Sequence, residues 1–275
     1  MIKNMKNLIY CSLILSVLAY SCKTDTQPVD QNLNTDTIVK EQVIDHNTQY
    51  RLPSPVEFFL YIKENKAKYN KTILNSPDNI SKYYTTASKA INFGIYASDL
   101  AYCTVFGQNQ ETFIYFTKAK NLADELGLTE GFDEQVAKRI DQNLNNSDSL
   151  YEITTDGYWQ AVSFLEERDK SNLLPYILVG SWVESVHIAI HSVTKFKSDD
   201  QLVIRISEQQ LLLENLIDHL NSLGDDQLKD ILSKLTELQA AFDLLYDNPE
   251  DVIITEEQYK EIVKQIDALR TQFIS

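Results

Sequence analysis

Three residues of the segment SNLLPYILVGSWVESVHIAIHSVTKF (171–196) have the side chains and the spacing of a metal or acid–base site: Glu184, His187 and His191. At about 100° per residue, positions i, i+3 and i+7 fall within an arc of about 60° on a helix. Glu-x-x-His is the spacing of carboxylate-bridged di-metal bundles, and histidines four apart can share one ion. The chain lacks what usually completes such sites. There is no second Glu-x-x-His, and Ile188 follows His187 where a zinc-protease helix carries Glu. Ser181, Ser185, Ser192 and Lys195 project near the same side, with Val179, Trp182, Val186, Ala189, Ile190, Val193 and Phe196 opposite. That pattern predicts an amphipathic helix with Glu184 and the histidines on its polar edge, and no metal or other cofactor.

Asp99 is the more informative carboxylate. Between Lys89 and Glu111 it is the one charged residue, and Asn92 lies two turns below it on the same side. A lone acid in an apolar helix needs a partner or keeps its proton. It either fixes helix register through hydrogen bonds or lines a ligand cleft. No Gly-x-Ser-x-Gly, no Cys-x-x-Cys and no phosphate-cradling Gly loop occurs in the chain. The residues point to a binding or scaffolding module rather than an enzyme. The candidate ligand-binding residues are Asp99, Asn92, Glu184, His187 and Trp182. The alternative is a metal-binding protein or enzyme using a carboxylate–histidine cluster between the two apolar helices.

Those helices dominate the pattern. In Ser81–Phe106 small residues fall at Ala87, Ala90, Gly94, Ala97 and Ala101, one narrow stripe on which a second helix can approach closely. The expected partner is the helix Asn172–Phe196, laying Trp182, Val186, Ile190 and Val193 against that seam. Ser54-Pro55-Val56-Glu57 and Thr255-Glu256-Glu257-Gln258 read as capping boxes, Ser76-Pro77 as a start leading into the central helix, and Leu126-Gly127-Leu128 as a left-handed stop. Nine helices with short connections result, with no competing strand alternation. The predicted fold is all-α, with about nine antiparallel helices in one compact helical-hairpin bundle or array over residues 51–275.

The front of the chain gives an address. A basic start (Lys3, Lys6) and an apolar run from Leu8 to Tyr20, too short to span a bilayer, read as a secretory signal over residues 1–21. The run ends Leu18-Ala19-Tyr20-Ser21-Cys22, the form of a bacterial lipoprotein signal, so Cys22 is the expected lipidation site and palmitate-type acyl chains the expected membrane anchor. Residues 22–50 are rich in Asp, Asn, Gln and Thr and read as a flexible tether. Cys103 is then the one thiol left in the helical domain, expected as a small buried hydrophobe. Removing residues 1–21 takes two lysines and no acids from the 25 basic and 40 acidic residues, leaving a formal charge of −17. Such a surface repels nucleic acid, so no nucleic-acid partner is expected; the partner is an unknown protein or small-molecule ligand.

The run Leu52-Pro53-Ser54-Pro55-x-Glu57, the stretch Asn92-Phe93-Gly94-Ile95-Tyr96-Ala97-Ser98-Asp99-Leu100-Ala101-Tyr102 and the pentapeptide Gly180-Ser181-Trp182-Val183-Glu184 together resemble an uncharacterised all-helical lipoprotein group of Bacteroidetes-type bacteria. The Gly-x-Tyr-x-x-Asp-Leu-x-Tyr portion is the most specific element. The resemblance implies an outer-membrane lipid anchor, with the domain on the periplasmic or cell-surface face, and a helical fold. It brings no catalytic residue.

Overall fold

In the computed structural model the described residues are 54–128, 134–143, 145–167 and 171–275. The predicted signal segment, Cys22, the tether and the first three residues of the predicted domain lie outside them. Among the described residues there are ten α-helices and no strand: α1 Pro55–Glu64, α2 Thr86–Val105, α3 Asn109–Leu126, α4 Glu134–Gln142, α5 Ser147–Glu167, α6 Leu174–Ser192, α7 Gln201–Ser207, α8 Gln209–Ser222, α9 Lys229–Asp243 and α10 Glu256–Ile274. The all-α helical fold is as the hydrophobic periodicity predicts. The count exceeds nine because the stretch from Gln201 to Ser222 breaks at Glu208 into α7 and α8.

The caps follow local chemistry. Ser54 accepts from the Val56 N–H with Pro55 in the first turn, and Thr255 and Gln258 form a reciprocal box. Gly127 closes α3 in the left-handed region at φ 73°, with the Leu128 N–H returning to the Ala123 carbonyl at 2.8 Å. One start is corrected. Ser76-Pro77 opens a 3-10 turn over Pro77–Lys82 instead of the central helix. That helix begins at Thr86, where Thr85 and Ser88 cap each other.

Helices α2 and α6 form the centre of the domain, and nearly all of α6 is buried, from Leu174 through Ile190. Their seam is closer than the sequence stripe alone implies, because each helix brings a glycine to it. A Cβ on Gly94 would land on the Ile177 carbonyl oxygen and lie 2.8 Å from the Ser181 nitrogen. A Cβ on Gly180 would land on the Ile91 carbonyl oxygen. Beside this backbone-to-backbone contact, Ser98 Oγ lies 3.0 Å from both the Ser181 carbonyl and the Ser181 hydroxyl. Ala97 and Ala101 line a small apolar cavity of about 50 Å³ shared with α3, α4 and α5.

The expected docking face of α6 is therefore corrected. Gly180, Ser181 and Glu184 face α2, so this part of the polar edge lies at the heart of the domain, while His191 at its end stays part-exposed. Trp182 stands two residues, or about 200°, around the helix from Gly180. It lines a cleft with α1, α7 and α8 instead of the seam. The reason is physical: glycine and serine permit close approach, and the bulky face of α6 needs more distant neighbours.

Candidate functional site

The segment between α1 and α2 folds over one end of the α2–α6 pair and supplies backbone groups to it. Asn75 is pinned from several sides: its carbonyl accepts from Tyr115 Oη at 2.9 Å and its Nδ2 donates to Tyr83 Oη at 3.0 Å. Tyr96 Oη donates to the Ser76 carbonyl at 2.8 Å. These tyrosines pack as core aromatics with their hydroxyls tied down, which is the role expected of buried Tyr.

Under this segment, Asp99 from α2, Glu184 from α6 and Arg270 from α10 meet in the interior. Asp99 and Glu184 are both 0 % exposed and Arg270 is 8 % exposed. Arg270 forks onto Glu184, Nε to Oε2 at 2.6 Å and Nη2 to Oε1 at 2.7 Å. This two-point, charge-assisted contact is the geometry in which a buried ion pair is best matched. Burial alone would lower the Arg270 pKa; the Glu184 carboxylate outweighs it, and the net direction is up. Asp99 has the Glu184 carboxyl and the Asn75 backbone N–H as its polar neighbours, yet neither of its oxygens has a hydrogen-bond partner among the described residues. Desolvation first, and the Glu184 charge second, push Asp99 well above the usual carboxylate range. Asp99 therefore keeps its proton beside the Arg270–Glu184 ion pair.

The same chain of contacts continues to the surface. Arg270 Nη2 also donates to the Ile73 carbonyl at 3.0 Å, and His187 Nε2 meets that carbonyl at 3.1 Å. The other ring nitrogen of His187, Nδ1, lies 2.8 Å from Asp267 Oδ1. His191 Nε2 lies 2.9 Å and 3.1 Å from the two Asp267 oxygens. Burial raises the Asp267 pKa, but the close contacts with His187 and His191 lower it more, and the carboxyl is held well below its usual range.

Comparison with protein families, with curated proteins and with solved structures returns no match.

The structure thus brings Asp99 and Glu184 together, links His187 to them through the Ile73 carbonyl and Arg270, and places Asn92 and Trp182 elsewhere. Asn92 is fully buried and donates to the Phe273 and Ser88 carbonyls at 2.7 and 2.9 Å, tying α2 to the end of α10. Trp182 belongs to the cleft on the far side of α6. That cleft, about 60 Å³, is lined by Pro55, Phe58, Leu178, Arg205 and Leu212 among others, and the buried Trp182 indole N–H has no acceptor among the described residues. Cys103 is buried with Tyr69 Oη at 3.6 Å from its sulfur; burial pushes the thiol pKa up, so it is unreactive, as expected of a small core residue.

Sequence reasoning missed Asp267 and Arg270, both on α10. A signal was present: Arg270 falls one residue after Leu269 and three before Phe273, inside the apolar stripe of Tyr259, Ile262, Ile266, Leu269 and Phe273. A cation on a buried stripe demands a buried anion, and the anions available in apolar helices are Asp99 and Glu184.

Proposed function

We propose that this chain is a lipid-anchored protein of the bacterial outer membrane, held by acyl chains on Cys22, whose helical domain serves as a binding or scaffolding module on the periplasmic or cell-surface face. The observation that carries this reading is the burial of α6. Residues Ser171–Ser192 are long and apolar enough to cross a membrane, yet the apolar stretch Leu173–Ile190 within them is buried inside the protein. The apolarity of this helix is explained by the core, so membrane attachment falls to the N-terminal apolar run and Cys22. Two acyl chains give stable anchoring where one gives only marginal binding.

The cleft beside Trp182 is the ligand site in this reading. A buried N–H without an acceptor costs about 1–3 kcal/mol. A ligand oxygen that accepts from the indole recovers that cost, while Phe58, Leu178 and Leu212 offer the apolar contact. The module then acts by recognition, with no covalent step.

The test is fractionation of cells expressing the full chain, with radiolabelled palmitate. The native protein should sediment with membranes and carry label, and Cys22→Ser should lose the label and leave the membrane fraction. Retention of Cys22→Ser on membranes through a high-salt wash would overturn the anchor.

A further inference from the structure

We propose that His187 Nδ1, His191 Nε2 and a carboxylate oxygen of Asp267 bind one divalent transition-metal ion of the zinc class. The three donor atoms lie within 4.8 Å of one another, at the point where α6 and α10 reach the surface. A metal with bonds of about 2.0–2.1 Å places its ligand atoms roughly 3.3 Å apart in a tetrahedral arrangement. The present separations of 2.8 Å for His187 and 2.9 Å for His191 need to open by only a few tenths of an ångström.

The hydrogen-bond pattern around His187 is what makes this a built site rather than a chance meeting of polar groups. The Ile73 carbonyl can only accept, so the His187 nitrogen facing it, Nε2, carries a hydrogen. In a neutral ring that leaves Nδ1 with a lone pair, pointed at a carboxylate oxygen that also offers only lone pairs. Acceptor against acceptor at 2.8 Å requires a positive centre: either a second proton on the ring or a cation between the two. A metal-bound histidine typically donates its remote N–H to a backbone carbonyl or carboxylate, which fixes the tautomer and aims the ring. The Ile73 carbonyl does this here, and it is itself held by Arg270.

The rest of the surroundings suit a cation. His187 and His191 are four residues apart on one helix face, with ring centroids 4.4 Å apart. The nearby Arg270 guanidinium is neutralised by Glu184, so its charge is already answered. His187 is buried, whereas His191 and Asp267 each have 37 % of the side chain exposed, which leaves the remaining coordination positions toward solvent. Two imidazole nitrogens and one carboxylate favour zinc, nickel, cobalt or copper over calcium and magnesium, which take oxygen ligands. An ion held by three protein ligands with an open position can take a water or a ligand atom as its fourth partner.

The test uses the full chain in detergent, stripped with a chelator and titrated with zinc by calorimetry and with cobalt by visible absorption. One zinc per chain and a cobalt d–d band are expected. His191→Ala and Asp267→Asn alter half-exposed side chains, and each should weaken zinc binding by at least about tenfold with an unchanged helical circular-dichroism spectrum. His46→Ala, in the N-terminal segment, should bind as the native chain does. A stoichiometry well below one, or native-like zinc affinity in both His191→Ala and Asp267→Asn, would overturn the site.

Discussion

Gly94→Ala should destabilise the domain by about 1–3 kcal/mol or more, although alanine is the better helix former by roughly 1 kcal/mol. The new methyl meets the Ile177 carbonyl oxygen and the Ser181 nitrogen, both backbone atoms that cannot swing aside. Relief therefore requires α2 and α6 to move apart as bodies, and that loosens the packing between the two most buried helices of the domain. Gly180→Ala should behave alike, since its methyl meets the Ile91 carbonyl. The double variant should lose less than the sum of the two, because the first separation already relieves part of the second clash. Urea unfolding of the three variants, followed by circular dichroism, measures this. A rise in the midpoint for Gly94→Ala would mean that the seam is looser than described and that only helix propensity is being read.

How much of this contact was legible beforehand depends on which partner is considered. The Ala and Gly spacing in α2 marks one side of a close seam without structural help. The other side, Gly180, stands in a helix whose remaining residues are so apolar that periodicity points the wrong way. The face of α6 with the largest side chains looks like the one to bury first, whereas close packing selects the smallest. Since almost every residue of α6 is buried, amphipathicity could not say which side meets which neighbour. The Glu184–His187–His191 arc was visible as spacing, but its partners come from α10, more than seventy-five residues further along the chain. Periodicity within one element cannot supply such a pairing. Only the cation on the α10 stripe hinted at it.

That pairing should dominate the pH dependence of stability. Arg270→Met removes the buried cation and leaves the Glu184 carboxyl, fully buried near Asp99, without the guanidinium that answers its charge. Breaking a buried ion pair from one side typically costs about 3–5 kcal/mol, and a loss of that order is expected near pH 7. In this variant Glu184 joins Asp99 in holding its proton in the folded state while both groups ionise in the unfolded chain. A group whose folded pKa lies above its unfolded one loses stability as pH rises above the unfolded value, so the deficit should grow from pH 5.5 to pH 8 and shrink toward acid. Asp99→Asn is the informative partner variant. An amide matches the protonated acid in size and lack of charge, and can present Nδ2 toward Glu184 and Oδ1 toward the Asn75 N–H. It should match or exceed the native stability at neutral pH, because the native chain gives up stability there by keeping Asp99 protonated, and the advantage should fade as pH drops toward the ordinary carboxylate range. Denaturant melts of both variants across that pH range decide the matter. If Asp99→Asn is as damaging as Arg270→Met, Asp99 is ionised in the folded protein and shares the Arg270 charge directly.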